Sequence, residues 1–257
     1  RRARPAHLLA MRHDPSPPLP DAPAAPRALW LIIAAFVVLA ATYSVITPAF
    51  ETPDEIWHYA FIQHLATGQG LPVSAAGTQA LWQQQGVQAP GYYLAAAALT
   101  AWIDQSDFPA VYARANPHRA IGRPDAAANR NYLIHHRDEQ WPWRGSILAL
   151  HVARLFSVLL GAVTLWASYQ AAARIVAPRQ ALAGVAVFAF IPQFIFISAA
   201  ASNDNAVNAL AALTLWRLVV LVNPGGARAE AGLQGRGLRR DFLLLGVLLG
   251  LAALSKL

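Results

Sequence analysis

Two acids and a histidine crowd into the stretch "ETPDEIWHYAF", where the chain has just left a long apolar run: Asp54, Glu55 and His58. On a helix over residues 53–67, positions 54 and 58 are four apart and 55 and 58 three apart, so all three side chains share a face. A carboxylate held beside an imidazole suits a general base, and Asp and His together also suit a divalent cation. The plain alternative is a helix start. Thr52 would be the N-cap, Pro53 the first helical residue and Glu55 the third, a capping box with its acids at the favourable end of the helix dipole. That alternative accounts for Glu55 better than for Asp54.

A second acid stands in the turn "SNDN", where Asn203, Asp204 and Asn205 lie between two apolar runs. Asn and Asp suit a tight turn for backbone reasons alone. Asp204 is nevertheless the only acid between Glu139 and Glu230, and the topology argued below puts it on the same side as Asp54, so that the two share one site. Arg154 and Lys256 also fall near that side of their apolar runs. Snorkelling explains such cations; binding of a lipid phosphate is the functional reading. The candidate metal ligands are Asp54, His58 and Asp204, too few to decide whether a divalent cation takes part.

These residues need elements to hold them, and the composition says which. Hydrophobic residues make up 56% of the 257 and charged ones 13%, whereas a soluble domain carries roughly a quarter charged residues. The uncharged run 28–50 exceeds the roughly 20 residues that cross a bilayer core, and its exit "TPAFETP" is no small-residue cleavage site, so it reads as a signal anchor. Further runs predict spans at about 28–47, 148–173, 180–200, 205–222 and 241–257, about five in all, with a large loop over 48–147. Residues 1–27, rich in Pro, Ala and Arg, predict a disordered tail. The apolar ending "LLLGVLLGLAALSKL" predicts that the polytopic chain continues. There is no cysteine, hence no disulfide framework or thiolate metal site.

The arginines give the orientation. Arg174 and Arg179 lie in one short connection, and Arg217, Arg228, Arg236, Arg239 and Arg240 in or beside the other; arginine-rich short loops face the cytoplasm. The N-terminus is then cytoplasmic, and both the 48–147 loop and "SNDN" face outwards. The same flanking positions argue against nucleic acid as the partner of the basic excess, 20 Lys and Arg against 13 Asp and Glu. The apolar stretch "YYLAAAALTAWI" is short for a span and predicts an interfacial or re-entrant helix.

In order along residues 28–257, "PDEIWHYAFIQHLATGQGLP", "QAPGYYLAAAAL", "ARLFSVLLGAVTLWASY", "ASNDNAVNALAALTLW" and "GLAALSKL" resemble the C-type (GT-C) membrane glycosyltransferases. The chain is most similar to the branch related to dolichyl-phosphate-mannose–protein mannosyltransferases and bacterial lipid-carrier-dependent sugar transferases. The resemblance implies an all-α, polytopic helical fold, with a catalytic acid in the first outer loop, Asp54 with Glu55 beside it, and a second acid at Asp204. It also implies an aromatic pair, Tyr92 and Tyr93, after two prolines; here Pro90 is kept, while Ala89 and Gly91 depart from the pattern. The implied reaction moves a sugar from a polyprenyl-phosphate donor in the inner membrane to an acceptor on the outer face, with inversion. Asp54 and Glu55 are the implied catalytic residues; His58, Tyr92, Tyr93, Arg154, Asn203, Asp204 and Lys256 are the expected substrate-binding ones. The sugar and the acceptor (protein, lipid or glycan) are left open. Two rival readings are a polytopic transporter, which should carry its charges at mid-span and show broken helices in related halves, and a scaffold without catalysis, in which the outer acids are caps and turns only.

Overall fold

The computed structural model describes residues 26–73, 80–119, 130–222 and 236–256. Most of the expected 1–27 tail, and of the connection holding Arg228, falls outside them. Among the described residues the elements are helical, with one isolated antiparallel bridge between Ala115 and Leu133. This is an all-α, polytopic helical membrane protein.

Helix α1 (Arg27–Ile46) is the first apolar run, and it stops where Pro48 pushes Thr47 into extended backbone. Two short helices follow at that end of the bundle, α2 (Glu55–Ala66) and α3 (Gly91–Thr100), then the single turn α4 (Phe108–Tyr112). The long α5 (Gly145–Ala172) runs back through the bundle. Its start is capped from outside, because the Asp107 carboxylate accepts from both the Ser146 backbone N–H (3.0 Å) and hydroxyl (2.7 Å).

The run expected as one span over 180–200 is broken. It forms α6 (Pro178–Ala189) and α7 (Pro192–Ser198), bent by 66°, since Pro192 has no N–H to continue the ladder and its ring opposes the preceding turn. Helices α8 (Asp204–Val222) and α9 (Arg236–Ala253) complete the described part. By length and composition α1, α5 and α8 can cross a membrane, and a fourth crossing results if the bent pair is one span. Over most of the fifth expected span the chain is helical, as α9, but with Arg239, Arg240 and Asp241 in its first half α9 is not among the helices apolar enough to cross.

Two cores hold the bundle. One joins α1, α5, α6 and α7 around Leu29, Phe36, Leu165 and Phe194; the other joins α2, α3 and the start of α5 around Tyr59, Phe61, Tyr93 and Leu150. Helix α8 lies along α5, and α9 packs on α8. The second core sits at the end of the bundle where α1 ends and α5 and α8 begin. It is therefore the platform for the acids.

Candidate functional site

The local expectation for "TPDE" is overturned. Helix α2 starts at Glu55, its N-cap is Asp54, and no side chain caps it. Thr52 Oγ1 is buried and finds no hydrogen-bond partner among the described residues. The capping box fails because Glu55 points elsewhere: its carboxylate accepts from Arg154 Nε (2.8 Å), Arg154 Nη2 (2.5 Å) and the Ala201 N–H (2.9 Å). Both side chains of this ion pair are fully buried.

Arg154 uses its remaining N–H groups on the end of α1, donating to Ser44 O (2.8 Å), Thr47 O (2.8 Å) and Pro48 O (3.0 Å). The guanidinium therefore ties α1, α2 and α5 together, and through Glu55 it reaches the segment before α8. It has no surface for a lipid phosphate, contrary to the expectation drawn from its position along the run. A buried cation with five donors needs these acceptors, and the ends of three elements supply them.

Asp54 stands on the other side of that knot. Its backbone is left-handed (φ 58°, ψ 2°), its side chain is exposed, and Phe50, four residues earlier, is left-handed too (φ 63°). Such conformations cost an L-residue energy and cluster where a structure must aim a group. Here the Pro48–Asp54 turn delivers Glu55 inwards and Asp54 outwards. Asp54 lines a cavity of about 390 Å³ with Glu51, Thr52, Trp57, Arg130 and Tyr132.

His58, one turn into α2, is 7% exposed; its Nδ1 lies 2.7 Å from the Tyr93 hydroxyl and its ring stacks on Tyr93. Burial pushes its pKa down to about 4, against the opposing pull of the Asp54, Asp204 and Glu55 charges, with Lys256 adding a smaller push down. The residue is neutral at pH 7. Glu55 accepts from the Ala201 N–H and Asn203 donates to Ser255 O, so Asp54, Asp204 and Lys256 stand at the same end of the bundle.

The "SNDN" turn divides its labour. Asn203 donates to Ser255 O (3.0 Å), and Asn205 donates to Ile197 O (2.9 Å) and to the carbonyls of Ala200 and Ser202. These two do the backbone work expected of a turn. Asp204 is spared it and pairs with the Lys256 ammonium. Lys256 and Asp204 remain 42% and 39% exposed, which leaves both able to meet a ligand. Asn203 is buried, as are Tyr92 and Tyr93; Tyr92 shares a hydrogen bond with Ser157 (2.9 Å). Tyr92 and Asn203 thus hold elements in place, and Tyr93 backs His58.

Gly91 explains one departure from the expected pattern. Its N–H donates to Leu254 O at 2.5 Å, and a Cβ there would come within 2.5 Å of that same oxygen. The end of α9 is laid directly on the start of α3, which seats Ser255 and Lys256. A larger residue has no room.

A network that the sequence reading missed lies behind the cavity. Glu51 accepts from the N–H groups of Tyr132 (2.8 Å) and Leu133 (3.1 Å), and His135 bridges Glu51 (2.9 Å) and Glu139 (2.7 Å). Arg114 holds Asp138 and Glu139. These partners are up to 84 residues apart, and no local spacing announces them. Among the described residues no group of three or more His, Asp or Glu is placed to hold a metal ion.

No curated protein and no solved structure matches this chain. Residues 148–257, from α5 to the end, match the model of the family described as dolichyl-phosphate-mannose-protein mannosyltransferase. That stretch holds Arg154, Asp204 and Lys256; Asp54 and His58 lie before it. The match relates this helical membrane protein to the GT-C-type membrane glycosyltransferases of the mannosyltransferase kind.

Proposed function

We propose that the protein transfers a sugar from a polyprenyl-phosphate donor to a hydroxyl acceptor at the outer face of the plasma membrane, with inversion at the anomeric carbon. The observation that carries this is that Asp54 and the Asp204–Lys256 ion pair, from three separate parts of the chain, are all accessible at the same end of an apolar bundle.

Asp54 is the base. It takes the proton from the acceptor hydroxyl as that oxygen attacks the anomeric carbon; the bond from that carbon to the phosphate oxygen breaks, and the lipid phosphate leaves with the electron pair. Lys256 stabilises the negative charge on the phosphate, and Asp204 holds the ammonium in position until the donor arrives. Neutral His58 adds no competing positive charge and, braced by Tyr93, forms the floor. Glu55 and Arg154 serve by position, since their buried pair sets where Asp54 emerges.

A transporter would carry unpaired charge at mid-span. Here Asp54, Asp204 and Lys256 sit at helix ends. Membranes containing the full-length protein, incubated with radiolabelled polyprenyl-phosphate sugars, should move label out of the lipid-phosphate fraction. If no sugar in the panel moves faster than in membranes lacking the protein, the proposal fails.

A further inference from the structure

We infer that the cavity beside Asp54 is the acceptor site and that it takes a pyranose ring, so that the acceptor is a glycan and not a serine or threonine of a polypeptide. This rests on the reading of Asp54 as the base.

The cavity and the ion pair are separate places. Lys256 and Asp204 pair where α9 ends and α8 begins, and neither lines the space of about 390 Å³, which is walled by Thr52, Asp54, Trp57, Arg130 and Tyr132. A base must touch the acceptor, and the phosphate must sit by the cation. Asp54 lines the cavity, and its neighbour Glu55 accepts from the N–H of Ala201, three residues before Asp204, so the cavity wall and the ion pair belong to the same end of the bundle.

The lining names the ligand class. The volume is at the small end of the range for ligand pockets, roughly 300–1,000 Å³, which suits a single ring better than an extended peptide. Trp57 and Tyr132 meet edge to face, with ring planes at 89° and centroids 6.0 Å apart, and Arg119 lies over the Tyr132 ring at 4.1 Å; the half-buried Trp57 is the aromatic wall for the C–H face of a sugar. Glu51, the other acid in the wall, already accepts from two backbone N–H groups and contacts His135. Its charge is used internally, so the cavity does not select a cationic ligand.

Thr52 supplies an independent pointer. It is 4% exposed, lines the cavity, and its hydroxyl has no partner among the described residues. A buried hydroxyl left unpaired is unfavourable, and native structures retain few of them. A ligand hydroxyl in the cavity would complete it.

Saturation-transfer NMR on the full-length protein in detergent tests the inference, with methyl pyranosides of mannose, glucose, galactose and arabinose as one set of probes and a serine/threonine hexapeptide as another. At least one methyl pyranoside should give signals from its ring C–H protons. Thr52→Val keeps the side-chain shape and removes only the hydroxyl; it should weaken that binding roughly three- to tenfold with an unchanged or higher melting temperature. Trp57→Phe should weaken it as well. Asp54→Asn should keep binding within a few-fold while transfer is lost. Sugar binding that survives in Asp54→Asn with transfer also intact would sink the base and leave the cavity assignment standing. Saturation of the hexapeptide in place of the sugars, or pyranoside signals indifferent to both Thr52→Val and Trp57→Phe, would overturn the acceptor assignment.

Discussion

Glu55→Gln separates a structural latch from a chemical group. In the native protein Arg154 and Glu55 are buried completely, with three hydrogen bonds into the carboxylate and three from the guanidinium to carbonyls at the end of α1. Glutamine keeps the shape but removes the counter-charge, and turns an amide N–H toward donors it cannot accept from. Breaking a buried pair from one side costs about 3–5 kcal/mol. For a domain of this size each kcal/mol lowers the melting temperature by about 2–4 °C, so a drop of roughly 6–20 °C is expected. The double variant Glu55→Gln with Arg154→Met removes the uncompensated charge but should not recover the loss, since the carbonyls of Ser44, Thr47 and Pro48 then lose their donor, at about 1–3 kcal/mol for each buried group left unsatisfied. Fluorescence-detected size exclusion after heating gives the melting temperatures in detergent. A Glu55→Gln protein that melts within about 2 °C of wild type yet has lost turnover would refute the latch and return Glu55 to the chemistry.

Other perturbations test the rest of the site. His58 carries a folded pKa of about 4 against an ordinary 6.5; the unfolded chain takes up the proton first, so stability is full above pH 6.5 and falls between 6.5 and 4, by on the order of 3 kcal/mol. His58→Gln should flatten that part of a melting-temperature profile, and an identical slope in both proteins would contradict it. Gly91→Ala pushes a methyl group against Leu254 O and should displace Lys256, raising the apparent donor KM severalfold more than it lowers kcat; an unchanged KM would show that α9 is free to shift. On the cysteine-free chain, an impermeant thiol reagent applied to intact cells should label Val87→Cys but not Ala177→Cys. Both sites are exposed, and the reverse pattern would invert the orientation.

The sequence was informative where its signals are local or additive. Apolar runs mark α1, α5 and α8 because a span must be uncharged along its whole length, and Pro48 and Pro192 mark where helices stop or bend. Asp54, His58, Asp204 and Lys256 were legible as candidates because acids and cations are scarce here and each stands where an apolar run begins or ends. What was hidden depends on pairing. Thr52, Pro53 and Glu55 satisfy every local rule for a capping box, yet Arg154, 99 residues away, claims Glu55 and shifts the helix start. A cap is worth about 1 kcal/mol, and a half-broken buried pair costs several times that; the distant partner prevails. The same holds for Gly91, whose reason is the Leu254 carbonyl, and for Glu51 and His135.

The central claim is that Asp54 removes the acceptor proton, and the most direct measurement is transferase turnover of Asp54→Asn at equal membrane abundance. Asparagine fits the exposed left-handed position, which Asn tolerates as well as Asp, so folding should be unaffected. With proton acceptance removed, the rate should fall on the order of 100- to 10,000-fold at unchanged melting temperature. Turnover within a few-fold of wild type would contradict the account and leave Asp54 as no more than the residue before a helix.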